Sequence, residues 1–165
     1  MPGIQTITPC LWFDDQAEEA AEFYTSVFPN SRIVRSARYG EAGRDVHGKP
    51  AGTVMVVAFE LDGQAFTALN GGPVFTFNEA ISLQVSCETQ EEVDHYWDRL
   101  SQGGDEKAQQ CGWHKDRYGV SWQVVPTVLL EMLADPDTGR SERAMAAMLT
   151  MRKIDIAALQ RAVAG

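Results

Sequence analysis

The order of predicted elements repeats once along this chain of 165 residues, and that repeat limits the folds open to it. Residues 4–13 alternate in the manner of a strand, and from residue 17 the apolar positions take the 3.6-residue spacing of an amphipathic helix, with Asp14 or Asp15 as its N-cap. Three further strands are predicted at 31–39, 53–61 and 64–70. The first half therefore has the order β-α-β-β-β.

The second half of the chain follows the same order. A strand is predicted at 80–87, and the Ser/Thr-x-x-Glu pattern at 89–92 is typical of a capping box that begins a helix. One or two short strands within 107–115 and a last strand at 120–125 complete it. We therefore expect two tandem modules, module one at 1–73 and module two at 78–126, followed by a helical extension at 127–165.

Alternation within the strands separates an apolar side from a mixed side. In the first strand Thr8, Cys10 and Trp12 share one side, and in the fifth strand Ser82 and Gln84 do the same. The apolar sides are expected to pack under the two helices, which leaves the mixed sides to line something more polar. The pattern predicts an α+β fold in which the two modules form a curved mixed sheet around a cleft, with a C-terminal helical tail.

Charge and composition exclude several function classes. The chain has 23 acidic and 14 basic residues, a net charge of −9, which repels phosphate backbones and argues against a nucleic-acid partner. No apolar run approaches the roughly 20 residues of a membrane helix, and no signal peptide is recognised at the N-terminus. Three irregularly spaced cysteines do not suggest a disulfide framework, so we expect a cytoplasmic protein.

Motifs along nearly the whole chain resemble a known family. They are LWFD at 11–14, AEEA at 17–20, FY at 23–24, DGQ at 62–64, ALNGGP at 68–73, FNEAISL at 77–83, CGW at 111–113, GVSWQ at 119–123 and MRKIDIA at 151–157. The chain resembles the vicinal oxygen chelate superfamily of glyoxalase I, extradiol dioxygenases and bleomycin-resistance proteins. Within it, the sequence is similar to the PhnB-like group, labelled 3-demethylubiquinone-9 3-methyltransferase-like.

The resemblance implies paired modules around a U-shaped cleft, and a homodimer. Metal-using members of the superfamily take one His or Glu ligand from the first and last strand of each module. The corresponding positions of this chain carry uncharged side chains: Thr8 or Cys10, Asn70, Ser82 or Gln84, and Gln123. Neutral donors hold divalent cations weakly, so we expect no metal at this place and no cofactor.

These observations favour a small-molecule-binding protein of the superfamily that lacks the usual metal ligands and binds an unidentified organic ligand. The residues predicted to line its cleft are Thr8, Cys10, Trp12, Phe66, Asn70, Ser82, Gln84, Trp113 and Gln123. Trp122 shares the side of Val120 and Val124 and is expected in the core.

Other functions remain open at this point. One alternative is a metal-dependent lyase or dioxygenase-type enzyme of the same superfamily, and another is a dimeric interaction protein without a small ligand. Within an enzyme, Cys10 is the candidate nucleophile and Glu79 the candidate acid or base. A methyltransferase is poorly supported, because the sequence has no Gly-x-Gly-x-Gly turn between a strand and a helix.

Overall fold

The computed structural model describes residues 4–165, which form two compact units. The first unit extends to Thr76 and contains module one; the second, Phe77–Gly165, contains module two and the C-terminal helices. Among the described residues, every helix is too short or too polar to span a lipid bilayer.

Module one contains a mixed sheet of four strands in the order β1-β4-β3-β2. Its elements are β1 (Cys10–Phe13), α1 (Ala17–Val27), β2 (Arg32–Arg38), α2 (Arg44–His47), β3 (Val54–Leu61) and β4 (Gln64–Asn70). β1 is parallel to β4, and the remaining pairs are antiparallel. The hairpin between β3 and β4 turns at Asp62 and Gly63, which both have positive φ angles, as the dipeptide predicts.

Helix α1 packs on one face of this sheet and leaves the other face open. Its buried Tyr24 stacks on Phe59 of β3, which in turn stacks on Phe66 of β4. Leu11 and Phe13 of β1 are buried on the same side. The first strand is shorter than the predicted 4–13, so the residues before Cys10, Thr8 among them, lie outside the sheet.

The start of α1 is held in a way that the local sequence did not predict. Its N-cap residue is Gln16, whose side chain makes no capping bond, so the prediction of Asp14 or Asp15 as the cap was wrong. The side chain of Asn70 instead accepts a hydrogen bond from the Ala17 N–H at 2.8 Å. A free helical N–H is thereby satisfied from β4, which is distant in sequence.

Module two repeats this topology with a sheet of three strands in the order β5-β7-β6. Its elements are β5 (Leu83–Cys87), α3 (Gln90–Ser101), a 3₁₀ turn (Glu106–Ala108), β6 (Trp113–Lys115) and β7 (Ser121–Pro126). β5 is parallel to β7, as β1 is to β4. Thr89 caps α3 by accepting from the Glu92 N–H, as its capping box predicts. The α+β class with two tandem modules is therefore confirmed.

The region 107–115 contains one short strand, β6, in agreement with the prediction of one or two. The Asp105 side chain accepts from the Lys107 N–H and caps the 3₁₀ turn, which takes these residues out of the sheet. Gln110 then pairs with Trp113 across a tight turn. Both residues within that turn, Cys111 and Gly112, have positive φ angles. Module two therefore has one strand fewer than module one.

The C-terminal extension consists of α4 (Thr127–Leu133), α5 (Thr138–Met148) and α6 (Ile156–Ala164). Leu129, Ile154 and Leu159 form a small core there, and Met148 and Met151 pack against it. Several contacts join the extension to module two, among them the Gln90 side chain of α3, which donates to the Ile154 carbonyl and accepts from the Ile156 N–H.

Candidate functional site

The open face of module two brings together four of the residues predicted to bind a ligand. Gln84 of β5 lies directly opposite Gln123 of β7, and Gln123 lies opposite Trp113 of β6. Ser82, which precedes β5, reaches the same place. Because side chains two residues apart point to the same face of a strand, these four share one surface, which we call the amide face.

Hydrogen bonds connect the polar members of the amide face. The Gln123 Nε2 donates to the Ser82 Oγ at 2.8 Å, and the Gln84 Nε2 donates to the Gln123 Oε1 at 3.4 Å. The Gln84 side chain is exposed, while Gln123 and Trp113 are half-buried. The Ser82 hydroxyl hydrogen and the second N–H of Gln123 take no part in these two bonds. Both amides and the Trp113 indole are accessible.

Lys115 and Glu79 lie beside the amide face and were not predicted as a pair. Lys115 is two residues beyond Trp113 on β6 and forms an ion pair with Glu79. The hydrogen bond from Lys115 lowers the pKa of Glu79, so this side chain is a carboxylate at neutral pH rather than a proton donor. Strand alternation alone would have placed Lys115 on this face.

Opposite them lies the buried hydroxyl of Ser121. Ser121 is paired with Lys115 in the β6–β7 register, and only 2% of the residue is exposed. Its Oγ has no hydrogen-bond partner among the described residues. Such a group is costly to bury without a partner, so Ser121 lowers the stability of this edge of the sheet.

The open face of module one carries Cys10 and Trp12. Cys10 is exposed and lies opposite Thr67 of β4. Trp12 is half-buried because its ring packs on Gly71, where an added Cβ would lie 2.1 Å from the ring. Its Nε1 donates to the Gly72 carbonyl at 2.9 Å, and Phe75 packs edge-on against it. The indole N–H of Trp12 is thus used within the module.

Phe66 and Asn70 do not lie on that open face. Phe66 stacks on Phe59 beneath α1 and is 8% exposed. Asn70 is 7% exposed, and besides its bond from the Ala17 N–H, its Nδ2 donates to the Val54 carbonyl. Both ends of the Asn70 amide are therefore bonded inside module one. Trp122 is 2% exposed, which confirms its predicted place in the core.

The family model described as 3-demethylubiquinone-9 3-methyltransferase matches residues 5–125. The chain belongs to this family. Its structure is similar to that of the PhnB protein of Bacillus cereus, with 41% sequence identity over 74% of this chain and 99% of that one and a TM-score of 0.64. The PhnB-like resemblance is thus confirmed. None of the curated proteins compared with the chain matches it.

Two more distant structures share the fold of this PhnB-like chain. A protein of Pseudomonas aeruginosa has 20% identity over 74% of this chain and 97% of that one, with a TM-score of 0.57. The fosfomycin resistance protein FosX from Mesorhizobium loti has 15% identity over 82% of this chain and 99% of that one, with a TM-score of 0.54. These two likenesses show that the fold is shared with proteins of low sequence identity.

The positions at which the resemblance expects metal ligands carry amides and hydroxyls in this PhnB-like chain. Asn70 points beneath α1 with both amide ends bonded, and the Gln123 amide is bonded to Ser82 and Gln84. All the candidate donors are neutral, whereas divalent ions favour carboxylate, imidazole or thiolate ligands. Within residues 4–165, the His, Cys, Asp and Glu side chains form no group of three that would hold an ion.

The three cysteines of the PhnB-like chain differ in their surroundings. Burial, aided by the nearby Glu92 carboxylate, raises the pKa of the Cys87 thiol to about 12, so it stays protonated and unreactive. Cys111 is half-buried in the turn before β6, next to Trp113. Only Cys10 is exposed, which leaves it as the thiol most accessible to a reagent.

Proposed function

We propose that this protein binds a small, uncharged or weakly polar organic molecule on the amide face of module two, without the help of a metal ion. The observation that supports this most directly is the row of Gln84, Gln123 and Trp113 across three neighbouring strands. It combines hydrogen-bonding groups with an aromatic surface, the combination typical of ligand sites in proteins.

Each residue has a distinct role in this proposal. The second N–H of Gln123 and the hydroxyl of Ser82 donate to oxygen atoms of the ligand, and the exposed amide of Gln84 accepts or donates at its edge. The Trp113 ring provides the flat surface on which an aromatic or alicyclic part of the ligand packs. Cys10, Trp12 and Thr8 of module one stay predicted ligand contacts, whereas the placement of Phe66 and Asn70 beneath α1 argues against that role for them.

The enzyme alternatives receive less support from these residues. A metal-dependent lyase or dioxygenase needs charged or imidazole ligands, and the superfamily positions carry amides and hydroxyls instead. Glu79 is held as a carboxylate by Lys115, so it is unsuited to act as a general acid at neutral pH. A methyltransferase activity, which the family description names, is also poorly supported, because this chain lacks the glycine-rich turn between a strand and a helix that commonly binds a nucleotide-like cofactor.

The proposal is tested by a thermal-shift screen of small aromatic and oxygenated compounds, followed by calorimetric titration of the best compound. Gln123→Met removes the central amide with little change of volume, and Trp113→Leu removes the aromatic surface. We expect each to weaken binding roughly tenfold or more, the effect of losing one buried hydrogen bond or one aromatic contact. Gln64→Met, on the exposed start of β4, is the matched control and should bind as the wild type does.

Two results would contradict the proposal. One is a set of compounds that bind with equal affinity to the wild type and to both amide-face variants, provided the variants remain folded. The other is the absence of any thermal shift across the screen, which would favour a dimeric interaction protein without a small ligand.

We also infer a homodimer in the cytoplasm, as expected from the resemblance and from the cysteines. All three cysteines are free in the described structure, which is compatible with a reducing compartment. Light scattering on the purified protein tests the dimer directly, since a mass of twice 18.2 kDa is expected and a mass of 18.2 kDa would exclude it.

A further inference from the structure

Module one contains a cavity of about 560 Å³ that the proposed ligand site does not use. It lies where the start of α1 meets the end of β2 and the segment 40–53. Four charged side chains line it, and they are Asp15, Glu18, Arg38 and Lys49. A volume of this size is within the range of small-molecule sites.

The charges of this mixed-charge cavity are not neutralised by one another. The acidic pair comes from the start of α1, while the basic pair comes from the end of β2 and from the following segment. The ion pairs recorded among residues 4–165 involve other side chains, and none joins these four within 4.0 Å. Two unpaired charges of each sign therefore face the same small space.

The basic wall is fixed by bonds to the backbone. Arg38 donates from its Nη1 to the Gly52 carbonyl at 2.9 Å, which holds the guanidinium at the rim. Tyr39 donates from its N–H to the Thr53 carbonyl and from its hydroxyl to the Asn70 carbonyl. Tyr39 is thereby bonded both to the far end of the segment 40–53 and to the end of β4.

Lys49 is positioned by the neighbouring imidazole. Its backbone N–H donates to the His47 Nδ1 at 2.9 Å, and the His47 Nε2 lies 3.1 Å from the Ala42 carbonyl. The His47 ring also packs against Tyr39 at 4.6 Å between ring centres. These contacts hold the chain around Lys49 in place before any ligand arrives, which reduces the entropic cost of binding.

The acidic wall is fixed from the sheet. Asn70 lines the cavity, and its amide joins the Ala17 N–H at the start of α1 to the Val54 carbonyl at the start of β3. Glu18 lies in the first turn of α1 and Asp15 two residues before the helix. One buried and one part-buried hydrogen bond fix this helix start relative to β3 and β4.

We propose that the mixed-charge cavity binds a small zwitterion, a molecule that carries a carboxylate and an ammonium group, such as a free amino acid. The carboxylate contacts Arg38 and Lys49, and the ammonium group contacts Asp15 and Glu18. Arg38 keeps further N–H donors for this purpose beyond the one bonded to Gly52. A ligand with both charges satisfies all four side chains, whereas a simple anion or cation satisfies two.

The test is a two-dimensional amide NMR titration of the full chain at constant ionic strength. The probes are glycine, β-alanine and 4-aminobutyrate, which differ in charge separation, and acetate and ethylammonium, which carry one charge each. We expect at least one zwitterion to shift the amide signals of the first turn of α1 and of residues 49–54. Acetate and ethylammonium should bind roughly tenfold or more weakly, since each lacks one charged contact.

Two variants and two controls make the assignment specific. Lys49→Gln and Glu18→Gln each remove one charge from the cavity and should weaken zwitterion binding roughly tenfold. Arg44→Gln and Glu22→Gln remove one charge each from exposed residues that do not line the cavity, and they should bind as the wild type does. Well-dispersed spectra establish that each variant is folded.

Three results would overturn the proposal. They are the lack of localised shifts with all three zwitterions at about 10 mM, equal binding of acetate or ethylammonium, and wild-type affinity in both cavity variants. None of these results involves the amide face, so a negative outcome here would leave the proposed function unaffected.

Discussion

The buried imidazole of His114 makes the stability of this protein depend on pH. His114 lies on β6 beneath α3, is 1% exposed, and packs edge-on against Trp97 at 5.1 Å between ring centres. Neither ring nitrogen has a hydrogen-bond partner among the described residues. Burial lowers the pKa of His114 from 6.5 to about 4 and outweighs the opposing effect of the Lys115 backbone.

The size of the effect follows from this shift. Between pH 6.5 and about 4 the unfolded chain binds a proton at His114 that the folded chain does not, so the free energy of unfolding falls as the pH falls. One pKa unit corresponds to about 1.4 kcal/mol, so the loss is about 2 kcal/mol at pH 5 and about 3 kcal/mol near pH 4. At pH 7.5 the imidazole is almost entirely uncharged in both states, so this contribution is negligible there.

Urea unfolding of the wild type and of His114→Phe, followed by fluorescence from pH 7.5 to pH 4, measures this term. Phenylalanine keeps an aromatic ring against Trp97 and cannot be protonated. The variant should equal or exceed the wild type in stability at pH 7.5 and should exceed it by a further 2 to 3 kcal/mol, approximately, at pH 4 to 5. His95→Gln, at an exposed position on α3, should follow the wild-type curve. Parallel curves for the wild type and His114→Phe would refute the reasoning.

Three further changes test the packing. Asn70→Ala leaves the Ala17 N–H and the Val54 carbonyl without partners and should lower the free energy of unfolding by about 2–4 kcal/mol in urea titrations; equal stability would contradict it. Asp116→Asn places an amide N–H₂ where this buried carboxylate accepts from N–H groups that include those of Tyr118, Val120 and the Trp122 indole, and a loss of about 2–4 kcal/mol in the same assay is expected. The exposed Asp105→Asn should change little, because its amide oxygen still accepts from the Lys107 N–H. Gln90→Ala should speed hydrogen exchange in α6, and unchanged protection there would exclude Gln90 as the anchor of the extension.

Much of the fold could be predicted because the periodicity of the chain reflects local burial. The hairpin at Asp62, the cap at Thr89 and the burial of Trp122 all depend on signals within a few residues, and each is confirmed. The cap of α1 was missed because its acceptor, Asn70, is distant in sequence. The choice between one and two strands within 107–115 could not be made from the sequence, because the 3₁₀ turn capped by Asp105 occupies the first part of that range.

The site was predictable in part for the same reason. Alternation along β5 and β7 correctly groups Gln84 with Gln123 on one face. Alternation does not show which side of β4 faces the helix. Phe66 and Asn70 were therefore predicted on the open face, whereas the structure has both beneath α1. The mixed-charge cavity combines residues from α1, β2, β4 and the segment 40–53, so no single stretch of sequence signals it. The cleft expected from the two modules stays a prediction.

The central claim is that neutral side chains on the amide face recognise an organic molecule without an ion. Its most direct test is calorimetric titration of the best screened compound into protein held in excess chelator, repeated with added Mn²⁺ or Zn²⁺. We predict the same affinity under all three conditions and its loss in Gln123→Met. Affinity that disappears in chelator and returns with either ion would contradict the claim.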